Sequence, residues 1–354
     1  MKIGVLPESP LEWLGLRLGL VPVPLAETHG AMLLARAIMA GAELGVFDAL
    51  AGGPRTAAQV AEACRTAPGA TALLLDALAA CGYLTRGGRG EGADFALAPQ
   101  ARKWLLAEAP ASIRDKLLLQ VVEWRWLETL EAFVLSGRPL DFHDGLPAAE
   151  LGLYHRAMRA LAGVAGHEVA RRMPVPRGAR RMLDLGGSHG HYAAEICRRH
   201  PGLSAEVLDL PDAIVAAAPI LAREGLGERV VHTPGDAASA DLGEARYDLV
   251  LMSNLAHHLD AAQNQALAHR VARALRPGGM FVIQEPALSE PSARAGQVTA
   301  LLGLYFALQS RPDVRTWTVA EMAGWQAAAG LRPRRAVGLR TAPGWVQQAA
   351  VRDG

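Results

Sequence analysis

The segment Arg181-Met-Leu-Asp-Leu-Gly-Gly-Ser-His-Gly190 constrains the fold more than any other part of the chain. A short apolar run ends on an acid, a glycine-rich turn follows, and helical periodicity begins at about His191 and runs to His200. An apolar run of strand length, bounded by glycine and opening a helix, predicts a buried strand and its crossover. The pattern recurs in Ala205-Glu-Val-Leu-Asp-Leu-Pro211 and again from Arg229 to Thr233. Strands alternating with helices predict a doubly wound, mostly parallel, Rossmann-like α/β sheet.

The turn itself is chemically suggestive. Without Cβ atoms, Gly186, Gly187 and Gly190 let the backbone turn tightly and approach a ligand closely. The helix behind them offers free N–H groups. The spacing is G-G-x-x-G preceded by an acid, not the G-x-G-x-x-G of dinucleotide sites. Asp184 would repel a pyrophosphate and suits the cationic aminoacyl end of S-adenosyl-L-methionine (SAM). Asp209 closes the next strand, where an acid meets ribose hydroxyls in nucleotide folds. Asp236, in Pro234-Gly-Asp236, follows the third strand and is expected to meet the adenine amino group. Leu210, Ala237 and Ser253 complete the expected cofactor set. Any one of these acids could simply cap a turn. Three at successive strand ends point to a ligand at the carboxyl edge of the sheet.

The chain changes style at Pro174-Val-Pro-Arg-Gly178. Before it the pattern is mostly helical. Periodicity from Glu27 to Ala51 predicts a helix with Leu33, Leu34, Ala37, Leu44, Val46 and Phe47 toward the core. Thr56 can cap a short helix through Ala63, and a second apolar helix runs from Thr71 to Cys81. Gly82-Tyr-Leu84, the Gly87-Gly-Arg-Gly90 loop and Phe95-Ala-Leu97 then follow, which is winged-helix order. The helix that would enter a DNA groove carries Asp76 as its sole charge, whereas DNA binding needs cations on phosphates. Leu73, Leu74, Leu75 and Leu78 make it a packing element instead. Two longer helices are predicted at about 111–136 and 151–172.

Composition closes off other classes. Lys plus Arg number 36 against 35 Asp plus Glu, so charge gives no reason to expect nucleic acid or an anionic membrane. Cys64, Cys81 and Cys197 show neither metal-site nor disulfide spacing, which fits a reducing, cytoplasmic setting. No run reaches the ~20 apolar residues of a membrane span. Leu11 to Leu25, broken by Glu12, Arg17, Pro22 and Pro24, reads as an arm rather than a leader peptide.

These pieces together resemble the plant-type (caffeate-like) O-methyltransferase family, in its bacterial small-molecule branch. The resemblance rests on Glu43-Leu-Gly-Val-Phe-Asp-Ala-Leu50, Tyr154-His-Arg-Ala-Met158, Leu183-Asp-Leu-Gly-Gly187 and Val207-Leu-Asp-Leu-Pro211. Gly235-Asp236, Tyr247 through His257, Leu275-Arg-Pro-Gly-Gly279 and Thr318 to Gly330 extend it over most of the chain. It implies a class I methyltransferase sheet of seven strands with the last antiparallel, SAM as cofactor and S-adenosyl-L-homocysteine (SAH) as product. It implies a homodimer built through an N-terminal domain that helps close the partner's site. The division it suggests is an arm and winged-helix-like dimerisation domain over 1–110, connecting helices lining the substrate cleft over 111–174, and the SAM domain over 175–354.

The resemblance places a general base at His257 and an orienting carboxylate at Glu285, with no metal. It places a second carboxylate near Thr316, where this sequence has none. Ser188 stands for a third glycine, His258-Leu259 for Asp-Trp, and Ser253 or Asn254 for a basic residue. Tyr154, Met158, Asn254, Tyr305, Phe306 and Trp317 are candidate acceptor-pocket residues, although aromatics at helical spacing also serve as core. The expected reaction is methylation of a hydroxyl on an aromatic or polyketide-like metabolite. N- or C-methylation, a non-methylating SAM-binding chemistry (hydroxylation, decarboxylation, pericyclic) and a non-enzymatic ligand-sensing winged-helix protein remain open at this point.

Overall fold

The computed structural model describes residues 4–140, 146–289, 296–310 and 314–354. Two compact units meet in sequence at Val121, the chain up to that residue and Val122–Gly354.

In the first unit the helix expected over 27–51 is interrupted. Ala31–Glu43 is helical, Gly45 turns left-handed at φ 76°, and a short helix Val46–Ala49 follows. Glycine alone enters that region without a steric penalty, so Gly45 ends the first helix. Thr56 caps Ala57–Cys64 through a reciprocal capping box with Gln59. Pro68 starts the helix Pro68–Ala80, which buries Thr71, Leu75 and Leu78 on one face. Three short strands, β1 (Arg55–Thr56), β2 (Leu84–Gly87) and β3 (Asp94–Leu97), form an antiparallel sheet in the order β1-β3-β2. Val46, Phe47, Leu50, Leu75 and Leu78 make the core. Leu33, Leu34, Leu44 and Leu73, read as packing residues in the sequence, are exposed within the single chain.

The second unit holds the parallel sheet. Its strands are β4 (Arg181–Leu185), β5 (Ser204–Asp209), β6 (Val230–Pro234), β7 (Tyr247–Ser253), β8 (Leu275–Pro286), β9 (Arg332–Pro333), β10 (Val337–Gly338) and β11 (Trp345–Val351). They run in the order β10-β11-β8-β7-β4-β5-β6, with the two-residue β9 pairing β11 off that path. The pairs from β8 to β6 are parallel and β11 is antiparallel to β8. The seven-strand path with an antiparallel last strand matches the expectation, and β9 is the addition. Met182, Leu183, Leu185, Val207, Leu249, Val250, Leu251, Phe281, Val282 and Ile283 are buried, as strands covered on both faces require. Two apolar layers flank the sheet.

The helix expected over 111–136 is two helices, Arg114–Leu127 and Leu130–Ser136. Ala148–Arg172 is continuous. No helix among the described residues is long and apolar enough to cross a membrane, and no cluster of metal-ligating side chains occurs among them. Because β4 lies between β5 and β7, strand order reverses at β4. The crevice at the carboxyl ends of these strands is where open α/β sheets bind ligands.

Candidate active site

Asp184 is the penultimate residue of β4, at the carboxyl end of the strand. It is 1% exposed, and neither carboxylate oxygen has a hydrogen-bond partner. Burial first, and the charge of Asp209 second, push its pKa up to about 8; the Ala193 amide offsets this in part, without hydrogen-bonding geometry. A buried, unpaired carboxylate is costly, and a cation brought beside it relieves that cost. The turn after it admits only glycine at two positions. A Cβ on Gly187 would fall 2.6 Å from Asp184 Oδ2 and 2.8 Å from Val207 Cγ1. On Gly190, with φ at +65°, it would fall 2.6 Å from Leu221 Cδ1. Gly186 is also left-handed, at φ 62°.

Asp209 ends β5. Its two oxygens accept from Ser188 N at 2.7 Å and from Leu210 N at 2.8 Å. Burial raises its pKa against the pull of these two bonds and of His232. Asp209 therefore ties the glycine turn to the second strand. Asp236 is exposed and accepts from Ala238 N at 2.8 Å and Ser239 Oγ at 3.1 Å, shaping the loop after β6. Arg270 holds the same loop by the carbonyls of Ala237, Ala238 and Ala240. Ala237 lies in the core, whereas Leu210 is exposed. Ser253, at the end of β7, is buried and accepts from Gln284 Nε2 at 2.9 Å.

Backbone strain gathers here. Ser188 and Asn254 are two of four non-glycine residues with positive φ among those described, at 46° and 52°. Such residues persist when their surroundings over-determine them. Ser188 donates its N–H to Asp209, pairs its hydroxyl with His155 Nδ1 at 2.6 Å, and accepts at its carbonyl from His232 Nε2 at 2.7 Å. Sequence pattern could not reveal this, because the three partners come from three distant elements. Asn254 donates its N–H to Gln284 O, and its Oδ1 accepts from Trp345 Nε1 at 2.8 Å.

Beyond Asn254, a short 3-10 turn, Ala256–His258, carries His257. His257 is 3% exposed and its Nδ1 lies 2.7 Å from Glu285 Oε2. Glu285, near the end of β8 and 1% exposed, also accepts from Ala256 N through Oε1 at 2.7 Å. A carboxylate only accepts, so the Nδ1 proton is fixed and Nε2 is left with its lone pair. Phe306 stacks on the imidazole at 4.1 Å between ring centroids and 16° between planes. Trp317 is buried behind the turn, its indole donating to Ala256 O at 2.8 Å. The acceptor-pocket expectation for Trp317 thus meets a core position that supports the His257 turn. Thr316 is 2% exposed and its hydroxyl has no partner.

Tyr154 lies in the helix Ala148–Arg172 with Met158 one turn on, both half-buried. Burial raises the Tyr154 pKa, helped by the charges of Asp209 and Glu123. Tyr305 donates its hydroxyl to Glu123 Oε1 at 2.5 Å. Glu123, on the mixed helix Arg114–Leu127, and Gln309, at the end of the apolar helix Gly296–Gln309, are buried polar side chains that the sequence reading did not single out.

Comparison with known proteins identifies the family. Residues 143–331 match the O-methyltransferase domain family, and residues 27–107 match the O-methyltransferase dimerisation domain. Acetylserotonin O-methyltransferase of Mus musculus is 33% identical over 329 residues, covering 87% of this chain and 83% of that protein. The tetracenomycin polyketide synthesis 8-O-methyl transferase of Streptomyces glaucescens is 28% identical over 83% of this chain and 87% of its own. Among solved structures, human N-acetylserotonin methyltransferase in complex with SAM superposes with a TM-score of 0.83 at 23% identity, covering 99% of this chain and 100% of that one. That last likeness speaks for the fold.

Proposed function

The chain belongs to the O-methyltransferase family and is a SAM-dependent methyltransferase; on that premise we propose that it methylates a hydroxyl of a small aromatic or polyketide-like molecule, with His257 as the base. The observation that carries the proposal is the buried His257–Glu285 pair at the carboxyl edge of the sheet.

Asp184, the turn Gly186–Gly190, Asp209, Asp236 and Ser253 would hold the cofactor, and the unpaired carboxylate of Asp184 suits its cationic amino-acid end. Bound there, SAM supplies an electrophilic methyl group on a sulfonium. The remaining work belongs to the protein. Glu285 keeps the Nδ1 proton in place and stabilises the imidazolium formed when Nε2 takes the acceptor's proton. A free phenol titrates near ~10 and an imidazole near ~6.5, a gap that a positioned base bridges. Phe306 holds the imidazole plane, and Trp317 with Asn264 fixes the Ala256 carbonyl beneath it. Such positioning contributes roughly 7–11 kcal/mol in favourable intramolecular reactions.

The N-terminal match to a dimerisation domain supports a homodimer. The names of the relatives support small aromatic acceptors. The test is transfer of a deuterated methyl group from labelled SAM to a panel of phenols, with the label located by mass spectrometry. Label on oxygen is expected. Label on nitrogen or carbon, or SAM binding without transfer to any phenol, would overturn the reading.

A further inference from the structure

β7 and β8 pair in register as far as Ser253 opposite Gln284, and one further bond runs from Asn254 N to Gln284 O at 2.9 Å. There the backbone turns into the left-handed region, at φ 52°. That region is costly for a residue with a side chain, and asparagine enters it at less cost than most. After the turn, Ala256 N and His257 Nδ1 both reach the carboxylate of Glu285, one on each oxygen. A chain that stayed extended would instead carry His257 ~10 Å past Asn254 along the strand direction, beyond Glu285.

Bonds from three strands hold the turn. Besides its N–H on β8, Asn254 donates through Nδ2 to Ser253 Oγ on β7 at 3.3 Å. Its Oδ1 accepts from Trp345 Nε1 at 2.8 Å. Trp345 opens β11 opposite Pro286, the residue after Glu285. An indole has one donor and no acceptor, and here that donor is committed to Asn254. Leu255 continues the same path against the cofactor turn: a Cβ on Gly186 would fall 3.0 Å from Leu255 Cδ1. One neutral hydrogen bond and the cost of a left-handed residue are of similar size, so losing the indole bond loosens the turn without unfolding the sheet.

We propose that Asn254 and Trp345 are positioning residues for His257. The indole bond holds Asn254 left-handed, and that turn sets the imidazole on Glu285 with Nε2 left to take the acceptor's proton. The proposal rests on the reading of His257 as the base. The carboxamide of Asn254, a candidate for the acceptor pocket by sequence, serves the His257 turn on this account.

The test uses Trp345→Phe, which keeps a ring and removes the N–H, and Asn254→Gly, which keeps the left-handed backbone and removes the carboxamide. The first readout is long-range proton–nitrogen NMR of the imidazoles in SAH-loaded protein, with the His257 signals assigned by their loss in His257→Ala. Wild type is expected to show a protonated Nδ1 and a bare Nε2, and both variants to shift toward a mixture of tautomers. The second readout is turnover of an ordinary phenol and of one already ionised at the assay pH. Each variant lowers kcat about tenfold on the first at unchanged KM and SAM affinity, and leaves the second within about twofold. The double variant loses no more than Asn254→Gly alone, because both residues act through one bond. Unchanged His257 signals, equal losses on both phenols, or losses that multiply in the double variant would overturn the proposal. Full turnover by His257→Ala would sink the base reading instead. The nitrogen signals then decide the positioning alone, a shift upholding it and wild-type signals overturning it.

Discussion

Binding of SAM is expected to drive a proton off Asp184. The side chain is 1% exposed with both oxygens unpaired, and its pKa stands at about 8 against an ordinary 3.8. At pH 7 a group with that pKa is about nine-tenths protonated in the ligand-free protein. An ammonium docked against it lowers the value by roughly 1–3 units, which makes the ionised form equal or dominant. Binding at pH 7 therefore releases between about 0.4 and 0.9 of a proton. The assay is calorimetric titration of SAM in phosphate and in Tris at matched pH. The measured heat should differ by that fraction of the difference in buffer ionisation enthalpy. Affinity should weaken as pH falls below 8, by about tenfold in total for each unit by which the ammonium lowers the pKa, and level off below the pKa of the bound state, because the carboxyl must first ionise. The stability sign follows from the same raised value. A folded pKa above the unfolded one gives a contribution that is full below about 4 and is lost as pH rises through about 8. The loss is on the order of 5 kcal/mol at 1.36 kcal/mol per unit. Asp184→Asn, which cannot ionise, should then outlast wild type in thermal unfolding above pH 8 while failing to bind SAM. Buffer-independent heats together with a flat affinity from pH 6 to 8 would refute the reasoning.

Other outcomes follow from the same geometry. Glu285→Gln should lower kcat by ~10²- to 10⁴-fold through loss of the fixed imidazole tautomer, with SAM affinity within about twofold of wild type by calorimetry. Gly190→Ala combines a left-handed φ of +65° with a 2.6 Å approach to Leu221 and should cost ~1–3 kcal/mol in denaturant unfolding while weakening SAM binding. Burial raises the Glu168 pKa, but donors on Thr341, Arg340 and Arg172 outweigh it and hold the value at about 2. Its stabilisation is present above about pH 4.5 and is lost as pH falls through about 2, so Glu168→Gln should flatten the acid limb of a stability–pH curve.

The sheet was legible because its strands are continuous apolar runs ending in acid or glycine, a local signal. Asp184, Gly187 and Gly190 carry their meaning in sequence, since the clash a Cβ would make is tied to the turn itself. The proposed base His257 and its carboxylate Glu285 were legible only through family resemblance; residues on different elements leave no mark on local periodicity. The same reason hides the hold on Ser188. His155, Asp209 and His232 converge on it from a helix and two strands. Trp317 shows the opposite limit. An aromatic near His257 reads equally as pocket or core, and its burial with its bond to the Ala256 carbonyl puts it in the core. In the N-terminal unit, apolar periodicity named Leu33, Leu34 and Leu44 as core, yet they face outward within one chain. Periodicity reports an apolar stripe and not what covers it.

The most direct test of the central claim compares two phenols with wild type and His257→Ala. One has an ordinary pKa near ~10, and the other is already ionised at the assay pH. A general base matters only for the first. The account predicts a fall in kcat of ~10²- to 10⁴-fold on the ordinary phenol and within about tenfold on the ionised one, at unchanged SAM affinity. Equal losses on both phenols, or no loss on either, would contradict the assignment of His257 as the base.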